Sequence, residues 1–151
     1  MNAVKTTAQT TYTQFSDCYK GRQVLVTGDT GFKGSWLILW LKELGAHVTG
    51  MALPPQTEPS HFQLAALGDL IHHIDADIRN MEAVANVFQQ AKPQIVFHLA
   101  AQALVRDSYS DPKATFDTNI GGTVNVLEAV RQCPSVKAAV IVTSDKCYEN
   151  Q

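Results

Sequence analysis

The sequence has 151 residues, of which 45% are hydrophobic and 17% charged, as is typical of one globular domain or a part of a larger one. Its formal net charge of −2 gives no electrostatic reason to expect binding to nucleic acid or to an anionic membrane. Its apolar runs are all shorter than the roughly 18 residues that a membrane-spanning helix needs. We therefore expect neither nucleic acid nor a membrane as a partner.

The spacing of cysteine and histidine argues against a disulfide framework and against a metal centre. The three cysteines are an odd number, and no two of them form a Cys-x-x-Cys pair. The five histidines show none of the ligand spacings by which metal sites are recognised. We therefore expect a cytoplasmic protein without a metal site.

The predicted elements alternate between strand and helix along the chain. Residues 1–16 are polar and without a period, which predicts a loose tail before a domain over 17–151. Strands are predicted over 23–27, 47–53, 70–74, 94–99 and 137–143, and helices over 32–44, 57–67, 81–91 and 111–131. Continuous apolar strands alternating with helices predict an α/β fold, a Rossmann-like doubly wound parallel sheet with strand order 3-2-1-4-5.

Three glycines at a spacing of three lie between the first strand and the first helix. A turn of this kind directs backbone N–H groups and the positive end of a helix dipole at one point, which suits a phosphate. A Cβ would obstruct both the turn and the approach of the phosphates. The strand and helix on either side disfavour the alternative of a tight turn without a ligand. The predicted cofactor contacts here are Gly28, Thr30, Gly31, Phe32, Lys33 and Gly34.

Residues 51–55 follow the second strand, where dinucleotide folds usually carry an acidic residue for the ribose. They read Met-Ala-Leu-Pro-Pro, with neither an acid nor an arginine. Because a 2′-phosphate prefers Arg or Lys, the lack of a basic residue favours NAD over NADP as the cofactor.

Further cofactor contacts are predicted after the third and fourth strands. Asp77 and Ile78 are assigned to cofactor binding, and Asp77 is placed to accept a hydrogen bond from an adenine amino group. The alternative for Asp77 is a solvated acidic loop or a helix-cap network. After the fourth strand, Leu99, Ala100 and Ala101 would let a cofactor approach the backbone. Plain packing explains the two small residues, Ala100 and Ala101, equally well.

The helix predicted over 111–131 carries two interior glycines, Gly121 and Gly122, each of which costs about 1 kcal/mol relative to alanine. That cost predicts that something approaches the backbone closely at these glycines, either a helix or the cofactor side of the site. Asn119 is assigned to cofactor binding, with a structural hydrogen bond as an equal alternative. One apolar face of this helix is predicted to comprise Phe116, Ile120, Thr123, Leu127 and Val130.

The run Ser144-Asp145-Lys146 follows the fifth strand and places a hydroxyl, an acid and an amine in three consecutive residues. Open α/β sheets carry their reacting groups at the carboxyl ends of the strands. We therefore predict these three residues to be catalytic, although in an arbitrary loop such a tripeptide would be an ordinary polar turn.

Across residues 20–150 the sequence resembles the CDP-glucose 4,6-dehydratases, nucleotide-sugar enzymes of the extended short-chain dehydrogenase/reductase family. The segments that carry the resemblance are residues 27–36, 99–106, 118–123 and 143–150. The last segment is the most specific. Related dTDP-glucose dehydratases have a sequence like Thr-Asp-Glu where this chain has Ser144-Asp145-Lys146, so that Glu stands in place of Lys146. Epimerases of the same family have neither Asp-Lys nor Asp-Glu after this Ser or Thr.

The resemblance implies a redox-neutral dehydration of CDP-glucose. Hydride passes from C4 of the sugar to NAD, water leaves from C5 and C6, and hydride returns to C6. Ser144 would bond the C4 oxygen, Asp145 would protonate the leaving hydroxyl, and Lys146 would occupy the place of the C5 base. Gln102 and Arg106 are the implied substrate contacts.

The resemblance also implies an N-terminal portion truncated after the fifth strand. The family's Tyr-x-x-x-Lys motif, later strands and substrate domain are not among the 151 residues, so we expect no activity from these residues alone. The fifth strand would then lie at the sheet edge, which predicts self-association into a homo-oligomer. The alternatives are a non-catalytic nucleotide-binding fragment and a related sugar-nucleotide epimerase or dehydratase.

Overall fold

The computed structural model describes residue 15, residues 17–144 and residue 149, so most of the predicted tail lies outside the described residues. The described residues form one sheet of five strands: β1 (Gln23–Thr27), β2 (His47–Ala52), β3 (His72–Asp75), β4 (Ile95–His98) and β5 (Ala138–Ile141). Neighbouring strands all pair in parallel, in the order β3-β2-β1-β4-β5. The predicted strand order is confirmed.

Helices connect the strands. They are α1 (Phe32–Glu43), α2 (His61–Leu64), α3 (Met81–Ala91), α4 (Val105–Ser110), α5 (Pro112–Phe116) and α6 (Thr123–Gln132). A 3₁₀ turn (Leu67–Asp69) follows α2, and a π-helical segment (Asp117–Gly122) joins α5 to α6. Among the described residues, none of the helices has the length and hydrophobicity needed to cross a bilayer. Within the same part of the chain, no group of three His, Cys, Asp or Glu side chains is arranged to hold a metal ion.

The two faces of the sheet bury separate cores because successive strand residues point to opposite sides. On β1, Leu25 faces the layer of α3 and α6, whereas Val24 and Val26 face the layer of α1 and α2. All three side chains are buried. Complete burial of an aliphatic side chain stabilises the fold by about 1.5–3 kcal/mol, so these two layers fix the sheet that positions the loops above it.

The helix predicted over 57–67 is shorter in the structure. Ser60 caps α2: its Oγ accepts the Gln63 N–H at 3.1 Å, and Gln63 Oε1 accepts the Ser60 N–H at 3.1 Å. Pro59 disfavours helical backbone in the residue before it, so the helix begins only after Ser60. The chain then turns through Ala66, which has a left-handed φ of 48°.

The structure differs from the prediction for residues 105–131 in three respects. The π-helical segment interrupts the helix predicted over 111–131, and α4 precedes that helix without having been predicted. Most of the predicted apolar face is also wrong. Phe116, Ile120 and Leu127 are exposed, and Val130 alone of the predicted hydrophobic residues packs against the core. The buried residues of α6 are Val126 and Ala129. A π-helical turn takes an extra residue and shifts the phase of every side chain after it, so the α-helical period selects the wrong face.

Candidate functional site

The carboxyl ends of β1 and β4 lie side by side in the centre of the sheet. From β1 the chain continues to β2 on one side, whereas β4 leads to β5 on the other. This is the topological switch point, where open α/β sheets form the crevice that binds ligands. The glycine turn after β1 and the loop after β4 border that crevice.

The glycines of the turn make room for close backbone contacts. Gly28 has φ +76°, and a Cβ there would lie 2.7 Å from the backbone nitrogen of Ala100. A Cβ on Gly34 would lie 2.1 Å from the carbonyl oxygen of Gly28. The turn therefore closes on itself and on the loop after β4 in a way that only glycine permits at Gly28 and Gly34.

The first turn of α1 presents backbone N–H groups that have no acceptor within the helix. Ser35 donates the first helical bond, to the Gly31 carbonyl at 2.9 Å. The N–H groups of Phe32, Lys33 and Gly34 precede it, and the described residues provide no side-chain cap for α1. By contrast, Asn80 and Asp111 cap their helices. Such a terminus fits an anion such as a pyrophosphate.

Two hydroxyl groups hold the turn in place. Thr30 Oγ1 donates to the carbonyl oxygen of Leu53 at 2.9 Å, which ties the turn to the end of β2. Ser35 Oγ donates to the carbonyl oxygen of Asp29 at 3.1 Å. Thr30, predicted as a cofactor contact, thus has at least a structural bond, and its contact with cofactor stays a prediction.

A buried histidine joins β1, β4 and α6 beneath the crevice. His98 Nδ1 lies 2.7 Å from Thr27 Oγ1, and His98 Nε2 lies 3.0 Å from Thr123 Oγ1. The Ala100 N–H also donates to Thr27 Oγ1, at 3.2 Å. Burial lowers the pKa of His98, which favours the neutral ring. These bonds set the position of the loop that contains Leu99, Ala100 and Ala101.

Asn119 holds the same loop from the other side. Its Oδ1 accepts the Gln102 N–H at 2.8 Å, and its Nδ2 donates to the Gln102 carbonyl at 3.0 Å. Asn119 is exposed, and its amide group hydrogen-bonds the loop backbone, which is the structural alternative considered for it.

The two predicted substrate contacts lie in and after the same loop. The Gln102 side chain donates to the Leu104 carbonyl at 3.0 Å, and Arg106 lies exposed on α4. Their contacts with a substrate stay predictions.

The Asp77 carboxylate is engaged by Arg79 in the structure. Its Oδ1 accepts the Arg79 backbone N–H at 2.8 Å, and its Oδ2 accepts Nη2 at 2.6 Å. The hydrogen bonds from the Arg79 side chain lower the pKa of Asp77, so the group is an acceptor. An adenine contact by Asp77 stays a prediction, and it would have to share the carboxylate with Arg79.

Ile78 fits against a glycine of the π-helical segment. A Cβ on Gly122 would lie 2.5 Å from Ile78 Cδ1, so the close approach expected at Gly122 is to this buried side chain. The same expectation is wrong for Gly121, where a Cβ would meet no atom of the described residues within 4 Å. Asn125 Nδ2 donates to the carbonyls of Ile78 at 2.9 Å and Arg79 at 3.1 Å. The loop after β3 is therefore fixed by the π-helical segment and by α6, and of these contacts sequence reasoning missed the one made by Asn125.

The predicted catalytic run falls at the boundary of the described residues. Ser144 is exposed and follows β5, so it lies at the same carboxyl edge of the sheet as the glycine turn. Asp145 and Lys146 lie outside the described residues. The catalytic roles of these three residues stay predictions.

The parallel sheet, its strand order and the glycine turn define a Rossmann-like α/β domain of the dinucleotide-binding type. The family model described as GDP-mannose 4,6 dehydratase matches residues 25–149, and the chain belongs to this family. This membership confirms the resemblance to nucleotide-sugar dehydratases that the motifs predicted.

Individual relatives agree with the family. The chain is 53% identical over 133 residues to CDP-glucose 4,6-dehydratase of Salmonella typhimurium, a match that covers 88% of this chain and 37% of the relative. It is 33% identical to CDP-paratose 2-epimerase of Salmonella typhi, over 83% of this chain and 38% of the relative. The chain thus spans less than two fifths of the length of these relatives.

Solved structures show the same fold. A UDP-glucose-4-epimerase from Stenotrophomonas maltophila with bound NAD matches with a TM-score of 0.72 and 30% identity, over 86% of this chain and 39% of that chain. A UDP-glucose 4-epimerase of Thermus thermophilus in complex with NAD matches with a TM-score of 0.65 and 34% identity, over 76% and 35% of the two chains.

Proposed function

We propose that this chain is the NAD-binding part of a nucleotide-sugar 4,6-dehydratase that acts on CDP-glucose. The observation that carries the proposal is the glycine turn, in which a Cβ on Gly28 or Gly34 would collide with backbone and α1 begins without a side-chain cap among the described residues. The 53% identity to CDP-glucose 4,6-dehydratase of Salmonella typhimurium supports the choice of reaction and substrate.

In this proposal the first turn of α1 holds the pyrophosphate of NAD through backbone N–H groups, with Lys33 adding positive charge. Asp77 and Ile78 border the adenine, and Ala100 and Ala101 allow close approach beside β4. NAD would supply a reversible hydride acceptor. The solved relatives that hold NAD support this cofactor, as does the uncharged stretch after β2.

The residues after β5 are proposed to act on the sugar. The Ser144 hydroxyl would hydrogen-bond the C4 oxygen, and Asp145 would give a proton to the departing C6 hydroxyl. Lys146 would remove the C5 proton, which requires that burial or nearby positive charge lower its pKa from about 10.4. We place the NAD-binding portion at residues 17–151, after a tail over 1–16, in a cytoplasmic enzyme.

A second candidate function is epimerisation of a nucleotide sugar, because the solved relatives above are UDP-glucose 4-epimerases. Identity favours dehydration, since it is 53% to the CDP-glucose dehydratase against 33% to the CDP-paratose epimerase.

Isothermal titration of the 151-residue chain with NAD⁺ tests the cofactor proposal. We expect saturable binding to one site, and weaker binding of NADP⁺ because the end of β2 offers no basic side chain to a 2′-phosphate. Since the chain spans 37% of the relative's length, we expect no conversion of CDP-glucose in the same sample. A protein that gives no heat with NAD⁺ and purifies without bound cofactor would contradict the proposal.

Self-association is expected from the edge strand β5. It pairs only with β4 among the described strands, and Val140 and Val142 beside this edge are 45% and 47% exposed. Unpaired backbone groups with apolar side chains favour pairing between chains. Light scattering at rising protein concentration should show a homo-oligomer, and Val140→Lys should reduce it. A wild-type chain that stays monomeric at high concentration would contradict the expectation.

A further inference from the structure

Three titratable side chains form a line that runs from the glycine turn to β3. His73 Nδ1 lies 2.6 Å from Oδ2 of Asp29, which belongs to the turn itself. His73 Nε2 lies 3.2 Å from Oδ1 of Asp75, two residues further along β3. The function proposed above uses none of these three side chains.

The structure makes a specific space for this line. The Asp29 side chain is fully buried, and the His73 side chain is 18% exposed. Gly50 of β2 provides the room, because a Cβ there would lie 2.0 Å from Asp29 Oδ2. The ring of Phe62 covers His73 with a centroid separation of 5.2 Å. Asp29 Oδ1 has no hydrogen-bond partner among the described residues, whereas His73 holds the other carboxylate oxygen, Oδ2.

The geometry favours a protonated His73. Each ring nitrogen lies within hydrogen-bond distance of a carboxylate oxygen, and only the imidazolium donates from both nitrogens. Burial acts to lower the pKa of His73, but the Asp29 and Asp75 carboxylates outweigh it and raise that pKa. Burial in turn raises the pKa of Asp29, and the His73 charge opposes this.

We propose that His73 is a positioning residue of the dinucleotide site, which neutralises Asp29 and holds the glycine turn against β3. The proposal rests on the proposed function, because its consequence concerns NAD. Asp29 follows Gly28 in the turn that would receive a pyrophosphate, and an uncompensated carboxylate there would repel that anion. The imidazolium removes this repulsion without occupying the crevice.

A pH dependence follows from the groups around His73. Asp29 faces it from the turn and Asp75 from its own strand, whereas Phe62 of α2 and Gly50 of β2 bring no charge. Loss of the His73 proton leaves Asp29 uncompensated, so NAD⁺ affinity should fall as the pH rises through the raised pKa of His73. The stability of the fold should depend on pH in the same direction. The contribution of the Asp29–His73 pair to the free energy of unfolding is complete below about pH 6.5, and it is lost as the pH rises through the raised pKa of His73.

The test compares NAD⁺ dissociation constants of the 151-residue chain and its variants between about pH 6 and pH 9. His73→Gln should weaken binding by roughly tenfold at the lower pH, because it leaves Asp29 unpaired. The double variant Asp29→Asn/His73→Gln should recover most of the affinity and lose the pH dependence. His72→Gln, on the exposed neighbour in β3, is the matched control and should bind as the wild type does. A double variant as weak as His73→Gln would indicate a merely structural role and overturn the proposal.

An NMR titration of the His73 ring provides a readout that does not depend on NAD⁺. We expect its midpoint above about 6.5 in the wild type and lower in Asp29→Asn. An ordinary or lowered midpoint in the wild type overturns the charge pairing. A raised midpoint in a wild type that binds no NAD⁺ at any pH would overturn the proposed function, and with it the role of His73 in the dinucleotide site. The charge pairing of His73 with Asp29 would still stand.

Discussion

Replacing Gly34 with alanine is expected to abolish NAD⁺ binding and to lower the free energy of unfolding by about 3 kcal/mol. The added Cβ would lie 2.1 Å from the Gly28 carbonyl oxygen and 2.9 Å from Asp29 Cα. Both are backbone atoms, so no change of rotamer relieves the overlap. The turn would have to open, and the first N–H groups of α1 would move away from the place where they converge on a phosphate.

Gly31→Ala is the matched control within the same turn. Its Cβ would lie 3.2 Å from the same Gly28 oxygen, and its φ of −74° is open to any residue. A small shift absorbs this contact, so we expect the free energy of unfolding to fall by less than about 1 kcal/mol. Gly31→Ala is therefore a control for stability only, because Gly31 is itself a proposed cofactor contact. Urea unfolding measures the stability of both variants, and calorimetric titration measures NAD⁺ binding by Gly34→Ala. A Gly34→Ala protein with wild-type stability and affinity would show that the turn is not closed on Gly28.

The succession of strands and helices along the chain was predictable because its signals are local. Apolar runs mark the strands, and residues such as Gly45 and Asn80 mark helix ends wherever they occur: Gly45 adopts φ +79° after α1, and Asn80 Oδ1 accepts the Ala83 N–H at 3.1 Å. The stretch over 105–132 was predicted poorly because the π-helical segment breaks the α-helical period. The exposed residues of α4 also carry no apolar period from which to predict a helix.

The glycines of the site were likewise predictable from spacing, but the residues that support them were not. Thr27 meets His98 across 71 residues of sequence, and Asp29 meets His73 across 44. No local pattern indicates either pair. In the sequence Asp29 is an ordinary polar residue of a turn, and Gly50 is an ordinary small residue of a strand. Only the packing of β2 between the turn and β3 gives them a joint role.

Gly50→Ala is expected to lower the free energy of unfolding by about 3–5 kcal/mol, as the breaking of a buried ion pair does. The added Cβ would lie 2.0 Å from Asp29 Oδ2 and 2.5 Å from Asp29 Cγ. The β2 backbone has no freedom to retreat, because Gly50 is paired with Val26 on one side and with His73 on the other. The carboxylate must therefore leave His73 and remain buried without its partner.

A double-mutant cycle identifies the cause of that loss. In an Asp29→Ala background the space beside Gly50 is vacated, so Gly50→Ala should cost less than about 1 kcal/mol, with a coupling of about 2 kcal/mol or more. The remaining contact, 2.8 Å to Ile71 Cδ1, is with the end of a side chain that can rotate. Urea unfolding of the four proteins gives the coupling directly. If Gly50→Ala costs the same in both backgrounds, the Asp29 carboxylate does not occupy the space between the glycine turn and β2.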